Sequence, residues 1–533
     1  MLPKNYKRRQ FIQTTASFSA GLAASLVYPH RTIASDDFVE AIVIGSGFGG
    51  AIAALRLGQA GVRTLIIERG RRWPITSSQN TFATFNNPDG RAAWLSPKTV
   101  FQNDVDVYTG VFETLQEDGI IVVNGAGWGG GSLAYNAITY QPKREIFYQV
   151  FSPEVVNYDE LASVYYPRVQ KMLKPSPIPP DVLATSYYGK TRFFMDNAQK
   201  AGLPSFLLDL ALDWDTVRQE INGTKAASVI DGQCWWGVNS GAKNSLDKNY
   251  LPQAEKTGYV NVVTLHIVTE ISKVRGEQKY RVHCTEINES GGVIRQKTFT
   301  CRYLFLAAGS VGTSKLLVKA KAKGTLPNLN NHIGRHWGTN GDNITTRTDL
   351  GPVTGNGGTA GAAIELLTGN NPIVVESLEL GINPDGVHSC LGLGIPRPAG
   401  KFQYNPTTDS VGLRWPTQAD NRVVRKTERL FEVLDASLTG RKPKHRTKEG
   451  MVPDSINSPT STNNDAAISG HPLGGAVMGK ACDPYGRVYG NPGLYVVDGA
   501  LIPGSTACTN PSFTIAALAE RCLDRIIAQD IKG

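Results

Sequence analysis

The chain has 533 residues, 41% of them hydrophobic, which is enough for two domains with their own buried cores. Its formal net charge is +9, but residues 1–35 contain five basic residues and no acidic one, so the remainder carries only +4. Because this charge is mild and the basic residues are not interleaved with aromatic ones, we exclude a nucleic-acid-binding function.

The N-terminus has the pattern of a targeting segment. The run Lys7-Arg8-Arg9-Gln10-Phe11-Ile12 is a twin-arginine pattern, and a mild apolar stretch, residues 11–27, follows it. That stretch is too short and too often interrupted by polar side chains for a membrane span. We predict a twin-arginine signal peptide over residues 1–35, cleaved near Ala34, and export of the folded protein to the periplasm or the medium. The alternative is a chance Arg-Arg pair before an apolar helix.

The cysteines indicate neither a metal site nor a redox pair. There are seven of them, an odd number, and no two have the CxxC spacing. A protein that folds in a reducing cytoplasm before export has no need of disulfides. We therefore predict seven buried thiols.

The strongest motif is a glycine-rich turn, Gly45-Ser46-Gly47-Phe48-Gly49-Gly50. Apolar runs precede and follow it, which predicts a buried strand, a tight turn and a helix. In such a motif Gly45 permits the turn, Gly47 lets the backbone approach a pyrophosphate, and Gly50 lets the helix pack close to the sheet. The free N–H groups at the start of the helix then face the phosphates.

An acidic residue ends the next predicted strand. Thr64-Leu65-Ile66-Ile67 leads into Glu68, 23 residues after Gly45. A carboxylate at this offset can accept hydrogen bonds from both ribose hydroxyls, and it disfavours a 2′-phosphate. This succession of strand, turn, helix, strand and acidic residue predicts a dinucleotide site. The alternative is a glycine-rich turn in an ordinary α/β protein.

Three further segments favour a flavin over a nicotinamide. The glycine-rich residues 124–132 suit close backbone contact with a flat ring. Residues 303–310 and 495–499 each have the pattern of a strand that enters a tight turn, with helices predicted from about Thr313 and from Phe513. Such segments are suited to close round one large cofactor.

These motifs resemble those of the glucose–methanol–choline family of flavin oxidoreductases, and within it the bacterial cholesterol oxidase branch that holds its flavin non-covalently. The likeness runs from about Asp36 to the end of the chain. It is carried by residues 45–70, 127–133, 141–144, 243–248, 301–306, 325–330, 471–475 and 498–519.

The resemblance implies an α/β fold with two domains. A Rossmann-like FAD-binding domain is expected over residues 36–150, 240–335 and 465–533. A substrate domain, built on an antiparallel sheet and helices, is expected over residues 150–240 and 335–465. Contacts to FAD are expected from Gly45, Gly47, Phe48, Gly49, Gly50, Glu68, Gly127, Gly130, Gly131, Ser132, Asp498, Gly499 and Asn510.

Periodicity places several further elements. Residues 260–273 and 279–287 alternate between apolar and polar, which predicts strands. Residues 423–434 carry an apolar face at helical spacing. The basic residues 441–448 follow, and we expect them to be a solvated loop; a weaker interpretation is transient contact with an anionic membrane surface.

Two polar residues near the C-terminus are the candidates for chemistry on an alcohol. His471 stands in His471-Pro472-Leu473-Gly474-Gly475, and histidine suits proton transfer because its pKa is near neutrality. Asn510 precedes Pro511 and can donate a hydrogen bond to a substrate oxygen or to the flavin edge. By resemblance these are the active-site histidine and asparagine of the family. His266 and His283 lie within predicted strands and are expected to be structural.

Glu376 is the third candidate. Strand alternation puts Val374, Glu376, Leu378 and Leu380 on one face, where loss of solvent should raise the carboxyl pKa and make it a usable base. The position matches the glutamate with which cholesterol oxidases move a proton during double-bond isomerisation. The alternative is a solvent-facing glutamate on an edge strand.

We therefore expect an FAD-dependent oxidase of a bulky hydrophobic secondary alcohol, most simply a 3β-hydroxysterol, with O2 as acceptor and Δ5 to Δ4 isomerisation of the product. Residues 134–138 and 377–379 differ from the sterol-oxidising pattern, so the identity of the sterol stays undecided. The alternatives are a dehydrogenase with a quinone or protein acceptor, a carbon–carbon lyase on the same fold, and a flavin-binding protein without catalysis.

Overall fold

The structure is a computed structural model, and it describes residues 38–348, 350–351, 353, 355, 358, 361–369, 371–379, 381, 383–439, 446–447 and 467–533. All of these belong to one compact unit, Ser35–Gly533. The predicted signal peptide and most of the basic run 441–448 lie outside the described residues, so both stay predictions. No helix in the described ranges is both long enough and apolar enough to cross a membrane.

The first sheet has seven strands and a parallel centre. Its central strand, Phe38–Ile44, lies between two parallel neighbours, Thr64–Ile67 and Val293–Leu306. All four residues of Thr64–Ile67 and the last four of Phe38–Ile44 are buried, because helices cover the sheet. The other strands of this sheet are Val260–Val263, His266–Lys273, Tyr280–Ile287 and Leu494–Val496.

The helices on this sheet are joined by a buried carboxylate. Glu520, on the helix Pro511–Ile526, is fully buried and accepts hydrogen bonds from Arg56, Arg168 and Tyr250. These three residues lie on the helices Phe48–Gln59, Tyr166–Leu173 and Tyr250–Lys256. A buried charge with this many partners fixes the helices relative to each other, because leaving it unpaired would be costly.

The second sheet has six antiparallel strands. One face packs on the helices Gly189–Lys200 and Asn421–Thr439, with a core that includes Phe194, Val375 and Phe431. The other face carries Glu376 and Leu378 and points toward the cavity described below. In sheet order the strands are Arg446–Thr447, Asn343–Arg347, His388–Gly394, Ile373–Leu378, Ala362–Leu366 and Ser205–Leu207.

Smaller elements complete the chain. Three small sheets are formed by Phe112–Glu117 with Ile120–Gly125 and Ala467–Ser469, by Arg335–Gly338 with Leu473–Gly475, and by Lys401–Asn405 with Ser410–Arg414. The remaining α-helices of the described residues are Arg144–Phe147, Tyr158–Glu160, Pro180–Leu183, Trp214–Ile221 and Gly309–Ala322.

The α/β fold class and the strands predicted at 260–273 and 279–287 are confirmed. The apolar face predicted for residues 423–434 is buried, as expected. The helix predicted from about Thr313 begins earlier, at Gly309. Its start was predicted too late because its first turn contains two glycines. Glycine is a poor helix former, and here tertiary packing overrides its propensity.

All seven cysteines are described and buried, and no disulfide joins them.

Candidate active site

The turn at residues 45–50 is built by close backbone contacts. Gly45 has a φ of +93°, and a Cβ there would lie 2.3 Å from the carbonyl oxygen of Ala307. A Cβ on Gly49 would lie 2.0 Å from the carbonyl oxygen of Val497, so neither position has room for a side chain. A Cβ on Gly47, by contrast, would meet nothing within 4 Å. The turn is therefore tight toward the protein and open on the cavity side.

The helix that follows this turn presents an uncapped N-terminus to the cavity. It begins at Phe48, and its N-cap, Gly47, has no side chain to bind the first N–H groups. Open space in front of unpaired N–H groups and the positive end of a helix dipole is the arrangement that binds a pyrophosphate.

Glu68 lies at the end of its strand, as predicted, and it also fixes the glycine turn. Its Oε2 accepts hydrogen bonds from the backbone N–H of Ser46 at 2.9 Å and from the Ser46 hydroxyl at 2.6 Å. Its Oε1 accepts one from the N–H of Gly70 at 2.8 Å. The carboxylate lines the cavity, where it is available to a ribose through its remaining lone pairs.

The second glycine-rich segment packs directly on the first. A Cβ on Gly130 would lie 2.7 Å from the Cα of Gly47, and Gly131 faces open space on the cavity side. The Ser132 hydroxyl is turned away, since it donates to the carbonyl of Gly129 and accepts from the N–H of Leu246.

Three of the residues expected to contact the cofactor are not among the residues that line the cavity. These are Gly50, which packs against the carbonyl of Gly45; Gly127, which packs against Leu133 and Trp73; and Ser132. Their contact with FAD stays a prediction.

Asp498 links the third glycine turn to the helix Gly309–Ala322. Its Oδ2 accepts from the Thr313 hydroxyl at 2.6 Å and its Oδ1 from the N–H of Ala500 at 2.8 Å. Burial raises the pKa of Asp498 to about 6, although the Thr313 hydroxyl and backbone N–H groups oppose the shift. Asp498 and Gly499 both line the cavity, as predicted.

All these segments bound one cavity of about 630 Å³. One end is formed by the glycine turns, and its wall is mostly backbone. The opposite end meets the second sheet, where Ile344, Leu378 and Leu391 are apolar and where His471 and Asn510 enter. The size and the mixed lining are typical of a site for a cofactor and a small organic molecule.

His471 lies between two short strands, Ala467–Ser469 and Leu473–Gly475, and its orientation is fixed by a carboxylate. Its Nδ1 is 2.7 Å from Oδ1 of Asp342. The other carboxylate oxygen of Asp342 accepts from the Ser469 hydroxyl and from the backbone N–H groups of Gly470 and His471. With Nδ1 engaged, Nε2 is the ring nitrogen left for chemistry.

The same contact sets the acidity of the imidazole. Burial by itself lowers the pKa of His471, but the charge of Asp342, the hydrogen bond to it and the nearby Glu376 together raise the pKa above its usual value. The protonated ring is therefore stabilised in this site, which suits a group that takes up a proton during a reaction.

Asn510 is held in a position where its side chain cannot cap its own helix. It is the N-cap residue of Pro511–Ile526, yet it makes no side-chain capping bond. Its Nδ2 donates to Oε2 of Glu376 at 3.3 Å, and its buried Oδ1 has no hydrogen-bond partner among the described residues. Since buried polar atoms are nearly always paired, this oxygen fits a site that binds a polar ligand.

Glu376 is completely buried on the cavity-facing side of the strand Ile373–Leu378, as alternation predicted; Leu380 is outside the described residues. Burial raises the pKa of Glu376 to about 7, against the lowering effects of Asn510 and His471. Its Oε1 lacks a partner within the described structure. Glu376 lies directly behind Asn510, one layer behind the cavity surface.

Sequence reasoning missed three residues of this site: Ser46, Tyr135 and Asp342. The phenol ring of Tyr135 lines the cavity in an edge-on contact with Phe48, and its buried hydroxyl has no partner in the described part of the chain. Ser46 stands inside the glycine motif, where a hydroxyl beside an acid could have been noticed. Asp342 follows an Asn-Gly pair just before a strand, a weaker signal.

The other histidines have structural partners or lie apart from the cavity. His266 lines the cavity, but its Nδ1 contacts the carbonyl of Thr264 and its Nε2 contacts Lys297. His283 contacts the Thr298 hydroxyl on the neighbouring strand. Both therefore have structural contacts within their sheet.

Fold and cavity together define a dinucleotide-binding protein with a flavin-sized site. The GMC oxidoreductase family models match residues 41–336 and 397–519. The chain belongs to the GMC oxidoreductase family and is an FAD-binding flavoprotein. The open space at Gly47 and Gly131, the uncapped helix and the unpartnered atoms at the far end all fit FAD.

Similar proteins match most of the chain. A cholesterol oxidase of Mycobacterium tuberculosis is 27% identical over 545 residues, which cover 90% of each chain. A cholesterol oxidase of Acinetobacter baumannii is 24% identical over 557 residues, 93% of this chain and 96% of the relative. The pyridoxine 4-oxidase of Mesorbium loti superimposes with a TM-score of 0.62 at 16% identity, covering 92% of this chain and 99% of that one. A fungal aryl-alcohol oxidase has the same TM-score and coverage at 13% identity.

Proposed function

We propose that the protein is an FAD-dependent oxidase of a bulky hydrophobic secondary alcohol, most simply a 3β-hydroxysterol. The observation that carries the proposal is the pairing of His471 with Asp342 at the apolar end of a flavin-sized cavity, beside the unpartnered oxygen of Asn510. A proton acceptor, a polar positioning group and an apolar wall are what the oxidation of such an alcohol requires.

In the proposed reaction the residues of this chain handle the hydroxyl group. Nε2 of His471 accepts the hydroxyl proton, and Asp342 stabilises the imidazolium that forms. Asn510 holds the substrate oxygen by donating the second N–H of Nδ2, whose first N–H goes to Oε2 of Glu376. Bound FAD, held by the glycine-lined end of the cavity, would supply the hydride acceptor for the carbinol carbon. The apolar side chains of Ile344, Leu378 and Leu391 exclude water from the reacting carbon.

Two independent lines support a sterol substrate. The cavity end that carries His471 is bounded by aliphatic side chains from three strands of the second sheet. The relatives from Mycobacterium tuberculosis and Acinetobacter baumannii are cholesterol oxidases, and the match covers 90% and 96% of their lengths. The test is anaerobic titration of the yellow protein with a panel of sterols and simpler secondary alcohols, with bleaching of the flavin absorbance as the readout. Bleaching by small alcohols but not by sterols would reject the sterol assignment.

Oxygen is proposed as the final acceptor, so that one alcohol and one O2 give one ketone and one H2O2. The competing proposal is a quinone or protein acceptor. Peroxide formed per ketone in air distinguishes them: a ratio near one supports the oxidase, and a low ratio with rapid turnover on added quinone supports the dehydrogenase. A lyase would leave the flavin oxidised under nitrogen.

Glu376 is proposed to isomerise a 3-keto-Δ5 product. A base must remove a proton from C4, the double bond moves into conjugation, and the proton is returned at C6. A carboxyl whose pKa is raised to about 7 can do both, and its position behind Asn510 means that the Asn510 side chain must turn aside to expose it. Glu376→Gln should release the unconjugated ketone, whereas conjugated product at the wild-type rate would assign Glu376 to structure.

Export by the twin-arginine route is likewise proposed, on the sequence pattern alone. Changing Arg8 and Arg9 to lysine preserves charge, so a block would show that the pair is read as a signal. Precursor with flavin should then accumulate in the cytoplasm, and the wild-type mature chain should begin near Ser35. Normal export of the double variant would contradict the proposal.

A further inference from the structure

A four-residue connector, residues 339–342, joins the strand Arg335–Gly338 to the strand Asn343–Arg347. It is buried: Thr339 and Asn340 have no exposed surface, and Asp342 is 8% exposed. A Cβ on Gly341, whose φ is +74°, would lie 2.7 Å from the backbone nitrogen of Gly394. The connector is therefore pressed against the second sheet with no room to shift.

One arm of the connector holds the segment that carries His471. Asp342 binds the ring through Oδ1 and binds the backbone N–H of Gly470 and His471 through Oδ2, at 3.0 Å and 3.2 Å. The Ser469 hydroxyl adds contacts to Oδ2 of Asp342 and to the carbonyl oxygen of Thr339. Both the loop and the imidazole are thus tied to the connector.

The other arm holds the loop that leads into Asn510. Nδ2 of Asn340 donates to the carbonyl of Thr509 at 2.8 Å. Its Oδ1 accepts from the N–H of Thr506 at 2.9 Å and lies within 3.3 Å of the hydroxyls of Ser505 and Thr506. One amide side chain therefore binds both ends of a five-residue loop.

That loop is strained. Ala507 and Cys508 have φ values of +63° and +66°, a backbone conformation that non-glycine residues rarely adopt. Two consecutive residues of this kind persist only where the surroundings hold them. Asn340 contacts the loop on both sides of the pair, and Asn510 follows directly.

We propose that the connector is a positioning device, in which Asn340 and Asp342 fix Asn510 and His471 relative to one another. The assignment of a catalytic role to the two positioned residues rests on the proposed function. The contacts span 129 residues for Asp342 and His471 and 169 for Asn340 and Thr509, so no local element sets this geometry. Neither Asn340 nor Asp342 contacts the substrate in this scheme; each acts through the residue it holds.

The first test is Asp342→Asn, which keeps the side-chain shape and removes the charge. In the flavin-bound protein labelled with 15N-histidine, the His471 signal, assigned by its loss in His471→Gln, should titrate at a lower pH than in wild type. The other charged group near His471 is Glu376, on the strand Ile373–Leu378, and it is unchanged in this variant. With a sterol, kcat should fall roughly 10²-fold, the low end of a proton-transfer contribution, with a smaller change in KM.

The second test is Asn340→Ala, with Asn340→Asp as the harsher variant, because it replaces the donor to Thr509 by a buried carboxylate oxygen that faces the Thr509 carbonyl. Hydrogen exchange of peptides covering residues 505–510 should accelerate in Asn340→Ala and further in Asn340→Asp, with kcat falling in the same order. The matched control is Thr345→Val, on the next strand, whose buried hydroxyl has no partner among the described residues. It should change neither exchange in this loop nor turnover.

The outcomes separate the two proposals. An unchanged His471 titration in Asp342→Asn, or unchanged exchange in both Asn340 variants, overturns the positioning role whatever the enzyme oxidises. If both physical readouts change as expected but wild-type flavin is reduced by no sterol or other alcohol, the positioning role stands and the proposed function fails.

Discussion

The two ends of the cavity are built in different ways. At the dinucleotide end the wall is mostly backbone. Gly45 and Gly49 have no side chain and so permit a tight turn, Gly47 leaves open space on the cavity side, and their neighbours in sequence complete the turn. At the reacting end the chemistry is carried by side chains from four separate segments, which provide Asp342, Glu376, His471 and Asn510. The first end depends on short-range geometry, and the second on contacts between residues far apart in the chain. Substitutions at the dinucleotide end should therefore impair folding or flavin binding, and substitutions at the reacting end should impair turnover.

The largest expected effect is on turnover at the reacting end. His471→Ala removes the proton acceptor but none of the glycine turns, so flavin should stay bound while kcat falls by roughly 10²–10⁴-fold. The control is His332→Ala, an exposed histidine on the surface. Turnover and flavin content are measured on the same preparations. Wild-type turnover in His471→Ala would place the chemistry elsewhere.

The contrast between the two ends also explains what the sequence could predict. The turn at residues 45–50, the acid at Glu68 and the buried face of Glu376 follow from periodicity and local motifs, and the structure has each in the expected element. Asp342 and Asn340 were not predicted, because each becomes meaningful only through a partner more than a hundred residues away.

The packing glycines show the limit of motif reading even at the dinucleotide end. The motif does not distinguish Gly131, which faces open space, from Gly127, which packs against Leu133 and Trp73. That distinction depends on what lies opposite each residue in three dimensions. The sequence therefore predicts which segments form the wall, but not which residues of those segments touch the cofactor.

The second prediction concerns the stability of the reacting end. Burial raises the pKa of Glu376 to about 7 from an ordinary value of 4.5, so the folded protein holds this proton more tightly than the unfolded chain does. Stability is therefore lost as pH rises from about 4.5 to about 7, by about 3 kcal/mol. Glu376→Gln has no such loss, so its stability relative to wild type should increase by about 3 kcal/mol between pH 4 and pH 8.

Urea denaturation of both proteins at the two pH values measures this difference, with flavin content matched because bound cofactor also stabilises the fold. A suitable control is Glu432→Gln, an exposed residue on the helix Asn421–Thr439, which keeps Glu376 and should therefore show the same pH dependence as wild type. Equal pH dependence in wild type and Glu376→Gln would mean that Glu376 does not hold a proton at neutral pH.

The third prediction tests the dinucleotide end with a pair of glycines. In Gly131→Ala the new Cβ meets no protein atom within 4 Å and enters the cavity, so the fold should survive while flavin binds about tenfold or more weakly, at least about 1.4 kcal/mol. In Gly49→Ala the Cβ would meet the Val497 carbonyl oxygen at 2.0 Å, so the fold itself should suffer. Flavin titration of the apoprotein and thermal unfolding separate the two effects. Tight flavin binding by a folded Gly131→Ala would move the cofactor away from this wall.

The smallest expected effect tests whether strain before Asn510 serves function. Ala507 has a φ of +63°, which costs an L-residue about 1–2 kcal/mol, while glycine adopts it freely at an entropic cost of about 0.5–1 kcal/mol. Ala507→Gly also deletes a buried methyl group worth about 0.8 kcal/mol, so its free energy of unfolding should stay within about 0.5 kcal/mol of wild type. It should also lower kcat, because the loop that carries Asn510 becomes free to adopt other conformations.

Lys174→Gly is the matched control for that last experiment. Lys174 has a φ of +50° and ends the helix Tyr166–Leu173 on the surface, so glycine should relieve a similar strain there. Lys174 is exposed, so Lys174→Gly should gain about 0.5 kcal/mol of stability, but only Ala507→Gly should lose turnover. If both keep wild-type turnover, the conformation at Ala507 is tolerated rather than used, and the side-chain contacts of the loop, including those with Asn340, are sufficient to hold it.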